Sequence, residues 1–235
     1  MNLDTAIFSI SCLLIAGLIA VMTSKRVFLA LPVFFFYLCT GLVLGLAALL
    51  VLHTIPAWYV HFVIFIYATD LIFFFGVIIE LGKNLLRHNR LAATRQPVAI
   101  LLFLITALLA IALAGQAVTS GRTWVFRMYT FLARFNETLS FAGFLTLATW
   151  SSLRKLRWPA RELHVATGLG IQTFAWFVVT VLHSHWNQGT VYHGVNQAGQ
   201  IIYIGVLAYW LHYFWIRAGQ VSAARREPSM TTAAR

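Results

Sequence analysis

Charged side chains are scarce in this chain of 235 residues. Charged residues make up only 10% of the sequence, and 6 residues are acidic. A soluble globular domain carries about 25% charged residues. Hydrophobic residues make up 60% of the chain. A chain this apolar cannot hide its apolar surface inside one water-facing domain, so the composition excludes an ordinary soluble protein and predicts that a lipid bilayer is the solvent.

Long apolar runs are abundant instead. A helix that crosses a bilayer needs about 20 mostly apolar residues, and seven segments qualify. The first follows the acidic stretch MNLD and has no small-residue cleavage site, so we interpret it as a membrane helix and not as a signal peptide. The sequence therefore predicts an all-α integral membrane bundle of seven transmembrane helices. The segments are 5–23, 27–52, 57–82, 97–118, 123–152, 163–185 and 190–216.

The apolar segments form one predicted domain, residues 1–217. The connections on the side of the N-terminus are too short to fold as a separate module. The polar stretch 218–235 has too few apolar residues to build a core, so it is predicted to be a disordered cytoplasmic tail. No soluble output domain is recognisable in the sequence.

Basic residues are confined to alternate connections. Of the 17 basic residues, 14 follow the first, third and fifth segments or lie at the end of the seventh. Arg122 alone lies in a connection on the other side. The positive-inside rule then predicts an outside N-terminus and a cytoplasmic C-terminus, in a multi-pass protein of the cell (inner) membrane. Attraction to anionic lipids on the cytoplasmic side explains the net charge of +11 without nucleic acid.

Cysteine is nearly absent. Cys12 and Cys39 both fall within predicted helices. They are either two small buried thiols or a disulfide. Two thiols without further cysteines do not predict a metal site.

Lysine is rare as well, and its positions exclude one seven-helix class. The three lysines lie at segment ends or in connections: Lys25, Lys83 and Lys155. A microbial rhodopsin needs a lysine in its seventh helix for the retinal Schiff base. Near the middle of the seventh segment this chain has Tyr203, so it is not such a protein.

A short motif at the start of the second segment resembles a known group. The stretch SKRVFLALPVFFFYL, residues 24–38, has a basic pair followed by Pro32 and several phenylalanines. In this motif, and in its order of helices and basic connections, the chain is similar to small seven-helix bacterial membrane proteins of uncharacterised function. The resemblance implies a seven-helix membrane fold and implies no activity and no site residue.

The fifth segment carries ionisable side chains where lipid is expected. Arg127, Thr130, Arg134, Glu137 and Thr138 fall within about 100° of one another on a helix. A charge that faces lipid near the bilayer centre costs at least about 2.5–3.5 kcal/mol. We therefore expect this stripe to face the interior of the bundle, with Arg134 paired to a carboxylate.

Polar side chains recur at helical spacing in three other segments. Their estimated depths, at about 1.5 Å per residue, overlap with those of the stripe. Together they predict a polar cavity in the outer half of the bundle. The residues predicted to line it are Asp70, Arg127, Arg134, Glu137, Gln172, Trp176, His193, Asn196, Gln200 and Tyr203.

Two interpretations of this constellation stay open. One is a structural network in which Asp70 and Glu137 neutralise Arg134. The other is a ligand or ion site, since ionisable residues at this depth are usually functional. Arginine favours a carboxylate or phosphate guest, whereas Asp70 and Glu137 suit a proton or a cation.

Three functions follow from the site hypothesis. The first is a receptor-like sensor that binds a small polar or anionic ligand and signals to a cytoplasmic partner protein. The second is a small transporter or channel that uses the same polar column. The third is a membrane-embedded metal-dependent hydrolase, which His183 and His185 do not favour because their rings point about 200° apart on a helix. The sequence contains no nucleophile elbow, zinc-protease or phosphate-loop motif, so no catalytic residue and no cofactor is predicted.

Overall fold

A computed structural model of the protein describes residues 3–89, 123–185 and 190–224. Within these ranges the chain forms six α-helices and two short 3₁₀ turns, and the described part contains no strand. The helices are α1 (Leu3–Ser24), α2 (Pro32–Thr54), α3 (Tyr59–His88), α4 (Trp124–Leu153), α5 (Ala160–His185) and α6 (Thr190–Ala224). The all-α prediction is confirmed.

Four helical stretches of the described part are long and apolar enough to cross a membrane. They are Leu3–Ser24, Pro32–Thr54, Pro56–His88 and Ala160–His183. Helices α4 and α6 coincide with the fifth and seventh predicted segments and carry more polar side chains. The fourth predicted segment, 97–118, lies outside the described residues, as does Arg122.

Helix bounds differ most from the predicted segments at three ends. Helix α3 continues to His88, beyond the predicted end at residue 82. The second segment was predicted to begin at residue 27, but α2 begins at Pro32, after a 3₁₀ turn at Val27–Leu29. Proline lacks an N–H and fits only the first turn of a helix, so Pro32 starts α2 and does not kink it. At the other end of the chain, α6 continues to Ala224 and includes the beginning of the predicted tail.

The six described helices pack as a closed ring. Each helix contacts the next along the chain, and α6 packs back against α1. The interior of the ring is largely apolar and holds one continuous core. Its fully buried large side chains include Leu18, Met22, Phe34, Val77, Leu81, Leu169, Leu207 and Trp210.

A carboxylate from α3 caps the first turn of α2. Leu31, the N-cap residue of α2, offers no side-chain hydrogen bond. Glu80 Oε1 accepts the Val33 N–H and Glu80 Oε2 accepts the Phe34 N–H, each at 3.0 Å. The first N–H groups of a helix have no partner within it, and a negative charge is favourable at this end of the helix dipole. Since Glu80 is buried, this contact joins α2 to α3.

Two glycines allow α5 to lie close to both of its neighbours. A Cβ at Gly168 would come within 2.6 Å of Trp210 Cζ2, and a Cβ at Gly170 within 2.6 Å of Phe144 Cε1. Residues two apart point about 200° apart on a helix, so Gly168 faces α6 and Gly170 faces α4. The Trp210 indole N–H donates to the His164 carbonyl at 3.0 Å. The α5–α6 contact therefore depends on position 168 being a glycine, which has no side chain.

Gly168→Ala should destabilise the fold, because the added methyl group would overlap the fully buried Trp210 ring. Overpacking of this kind costs about 1–3 kcal/mol. The measurement is the thermal unfolding midpoint of the purified protein in detergent. Gly205→Ala is the matched control, since nothing lies within 4 Å of a Cβ at that position. Equal midpoints for the two variants would contradict the close-packing argument.

Candidate functional site

Polar side chains from five helices meet at Asp70. Asn136 on α4 donates from Nδ2 to Asp70 Oδ2 at 3.0 Å. Tyr37 on α2 lies near Asp70 and near the Gln172 side chain on α5. Tyr203 on α6 lies near Asp70. We call Tyr37, Asp70, Asn136, Gln172 and Tyr203 the Asp70 cluster.

Hydrogen bonding orients the Asn136 amide within this cluster. Asn136 is buried, and its Oδ1 accepts the Ser140 hydroxyl at 3.5 Å. Its Nδ2 is thereby directed toward Asp70 as a donor. A carboxylate in an apolar interior requires such donors, because lipid offers none. The cluster therefore keeps a charged or strongly polar group deep in the bundle.

One acceptor of the cluster has no hydrogen-bond partner in the part of the chain that the structure describes. This atom is Gln172 Oε1, which is buried. Leaving such a group unsatisfied costs about 1–3 kcal/mol. Buried polar groups in proteins are normally satisfied by another residue, by water or by a ligand. Gln172 Oε1 is therefore an acceptor that a residue outside the described ranges, a water molecule or a ligand could satisfy.

A second polar group lies beside the cluster, between α3 and α4. The rings of Tyr67 and Tyr129 are tilted, with centroids 5.9 Å apart. Glu137 lies near Tyr67, and Arg134 lies near Glu137 with a favourable charge interaction. Of the two carboxylates predicted to pair with Arg134, Glu137 thus lies near it, while Asp70 accepts a hydrogen bond from Asn136 and lies near Tyr37.

The charged stripe and the buried face of α4 lie on different sides of that helix. The buried residues of α4 are Asn136, Leu139, Ser140, Gly143, Leu147 and Ser151. Arg134 and Glu137 are half-buried, and Arg127 is exposed. On a helix of 3.6 residues per turn, Arg134 points about 160° away from Asn136. Helix α4 therefore contributes an amide, and not its arginines, to the Asp70 cluster.

The remaining predicted residues are distributed along α5 and α6. Trp176 packs on Gly199 of α6, with its ring 3.5 Å from where a Cβ would lie. Asn196 and Gln200 are half-buried, and His193 is exposed. Of the ten predicted site residues, the structure brings Asp70, Gln172 and Tyr203 together in the Asp70 cluster.

Sequence reasoning missed two members of the cluster, Tyr37 and Asn136. Tyr37 is the one hydroxyl in the apolar run from Pro32 to Leu38, which is a usable signal. Asn136 and Ser140 are four residues apart and share a face, but the neighbouring charges of Arg134 and Glu137 gave the stronger pattern. Both missed residues are uncharged, and hydropathy patterning ranks such groups low.

Two of the sequence-based alternatives, a disulfide between Cys12 and Cys39 and a metal site, concern residues that the structure describes. Cys12 and Cys39 are both free thiols. In the ranges 3–89, 123–185 and 190–224, no three His, Cys, Asp or Glu side chains converge on a point where they could hold a metal ion.

The fold and the Asp70 cluster define an all-α protein with helices suited to a membrane and a polar group inside its bundle. A scan against models of protein families, a search among curated proteins and a search among solved structures each found no match to the chain. Its function is therefore inferred from its own residues.

Arg134→Ala should lower the thermal unfolding midpoint, because it leaves the Glu137 carboxylate without its nearby cation. Glu137→Ala in the same chain should restore part of the loss, with a coupling free energy of about 0.5–3 kcal/mol. Arg127→Ala serves as the control, since Arg127 is exposed on the same helix. Strictly additive losses in the double variant would rule out the pair.

Proposed function

We propose that the chain is a multi-pass protein of the cell (inner) membrane with seven transmembrane helices, an outside N-terminus and a cytoplasmic C-terminus. The support is the direction of α3 and α4. At one end Tyr67 of α3 lies against Tyr129 of α4. At the other end Asn89 exchanges hydrogen bonds with the Arg157 backbone, its Nδ2 donating to the carbonyl and its Oδ1 accepting the N–H, both at 3.0 Å. The two helices are therefore parallel.

Because α3 and α4 run parallel, the chain must cross back from the end of α3 to the opposite end of the bundle before α4 begins. The chain leaves α3 at the end that carries Lys83 and Arg87, and α4 begins at the opposite end. The predicted segment 97–118 is long and apolar enough for that return as a membrane helix. With it, the six described helices become seven, and the basic connections all fall on one side of the membrane.

Reporter fusions test this topology. A reporter that is active only in the cytoplasm should work when fused after Arg95, Arg161 or Arg235. The same reporter fused at Gly189 should be silent, because that connection is assigned to the outside. Reporter activity of a fully expressed fusion at Gly189 would contradict this topology and indicate the opposite orientation.

The Asp70 cluster is the ligand site of a receptor-like sensor. The observation that carries this assignment is the buried Gln172 carbonyl, which has no partner among the described residues and adjoins the Asp70 carboxylate through Tyr37. Two acceptors at this depth suit a small polar ligand that donates hydrogen bonds. An anionic ligand would be repelled by Asp70, and the arginines that would attract it are half-buried or exposed on another side of α4.

An apolar layer separates the cluster from the basic end of the bundle. In α3, α5 and α6, buried apolar side chains lie between a polar residue of the Asp70 cluster and the basic end of the helix. These side chains are Phe74 and Val77 on α3, Val165 and Leu169 on α5, and Leu207 and Trp210 on α6. Within the described residues the polar column is thus interrupted, which favours a sensor over a channel.

Signalling would then proceed through helix packing. The cluster draws on α2, α3, α4, α5 and α6, so a ligand bound there alters the relative positions of several helices at once. A packed interior transmits such shifts because it deforms poorly. The basic connections at the far end of these helices are the surface on which a cytoplasmic partner protein would detect them.

The sensor proposal is tested by the small molecules that co-purify with the protein. Gln172→Leu keeps the side-chain volume and removes the buried carbonyl, so it should lose at least about 90% of any bound polar molecule, a free-energy change of about 1.4 kcal/mol. Solvent extracts of the wild-type and variant proteins are compared by mass spectrometry.

Thr167→Val is the matched control, because Thr167 is an exposed polar residue on the same helix. It should retain the molecule at the wild-type level. Identical extracts from the wild type, Gln172→Leu and Thr167→Val would contradict the assignment of the site to the Asp70 cluster.

A further inference from the structure

A cavity lies at the basic end of the bundle, apart from the Asp70 cluster. Its volume is about 780 Å³, and it is bounded by the start of α2, the last turns of α3 and the start of α5. The apolar layer around Phe74 and Val77 separates it from Asp70. Nothing in the proposed sensor function uses this cavity.

The floor of the cavity is acidic. Glu80 and Glu162 both line it and are buried, with exposed fractions of 9% and 8%. Both Glu80 oxygens accept N–H groups from the first turn of α2, which compensates that charge. Glu162 Oε1 accepts from Asn84 Nδ2 at 3.4 Å, and the same Nδ2 donates to the Ala30 carbonyl at 3.4 Å. Glu162 therefore accepts fewer hydrogen bonds than Glu80, and its negative charge is less fully compensated.

The rim of the cavity is basic. Lys83 and Arg87 line it and are both exposed. They are four residues apart, so they lie on one face of α3, one turn from each other. Arginine and lysine at such a spacing bind phosphate well. A negative floor with a positive rim matches a ligand that carries both charges.

One wall of the cavity is apolar and open. Leu29 is 68% exposed and Ile79 is 55% exposed, and both line the cavity. Leu29 lies in the 3₁₀ turn just before α2 and Ile79 lies within α3, and both of these helices are apolar enough to cross a membrane. An acyl chain in the bilayer could lie along them, whereas a soluble ligand would leave them in contact with water.

We infer that this cavity binds the headgroup of a zwitterionic aminophospholipid. The ammonium group lies against Glu162, the phosphate lies between Lys83 and Arg87, and an acyl chain follows Leu29 and Ile79. A primary ammonium donates hydrogen bonds to a carboxylate, and a quaternary ammonium has no N–H to donate. The cavity should therefore prefer an ethanolamine headgroup to a choline headgroup.

Lipid binding to the purified, delipidated full chain in detergent tests this inference. The probes are dioleoyl phosphatidylethanolamine, dioleoyl phosphatidylcholine and glycerophosphoethanolamine, which has no acyl chains. Native mass spectrometry should show at least tenfold tighter binding of the ethanolamine lipid than of the choline lipid. Glycerophosphoethanolamine should not bind at the same concentration. Equal binding of the two lipids, or binding of the chain-free compound as tight as that of the lipid, would overturn the inference.

Variants then assign the binding to the cavity. Lys83→Ala combined with Arg87→Ala should weaken ethanolamine-lipid binding at least tenfold, and Glu162→Gln should abolish the preference over choline. Lys25→Ala combined with Arg154→Ala removes the same two charge types from exposed positions outside the cavity and should leave binding unchanged. Wild-type lipid binding by the Lys83 and Arg87 variant would refute the site and leave the Asp70 proposal standing.

Discussion

A membrane interior offers no hydrogen bonds, so polar groups on helices apolar enough to cross one need partners inside the bundle. Backbone groups are satisfied inside helices, so the side chains and the helix ends remain to be accounted for. Many side-chain hydroxyls donate to a carbonyl of their own helix, and several other polar groups are satisfied by contacts between helices. Asp70 receives Asn136, and the first turn of α2 receives Glu80. Polar contacts therefore determine which helices are neighbours, while the apolar core fills the space between them.

The same constraint separates the bundle into layers. Polar side chains gather at the Asp70 cluster and again around Glu80 and Glu162, with buried apolar side chains such as Phe74, Val77 and Leu207 between. Close approach in that layer depends on Gly168, because the Trp210 ring occupies the space where a side chain would be. Two polar centres joined by a tightly packed layer can influence each other through helix position, without any polar path between them.

Sequence patterning predicted the six described helices, and three of the ten predicted site residues lie in the Asp70 cluster. Apolar runs of membrane-spanning length are a strong signal, and the all-α class follows from them. The inward face of α4 is harder to predict, because charged side chains in an apolar segment favour Arg134 and Glu137 as interior positions. Arg134 and Glu137 dominate the pattern, yet the buried polar residues on that helix are the uncharged Asn136, Ser140 and Ser151. Tyr37 and the Glu80 cap depend on which helices become neighbours, which a single sequence does not encode locally.

The Glu80 cap has a consequence for how the chain enters the membrane. The chain is synthesised from its N-terminus, so α2 is complete before Glu80 exists. Until α3 follows, the Val33 and Phe34 N–H groups at the start of α2 must stay in contact with water or lipid headgroups. Insertion of α2 alone is therefore incomplete at that end, and α2 and α3 should settle as a pair. We therefore expect α2 and α3 to insert as a helical hairpin and not one helix at a time.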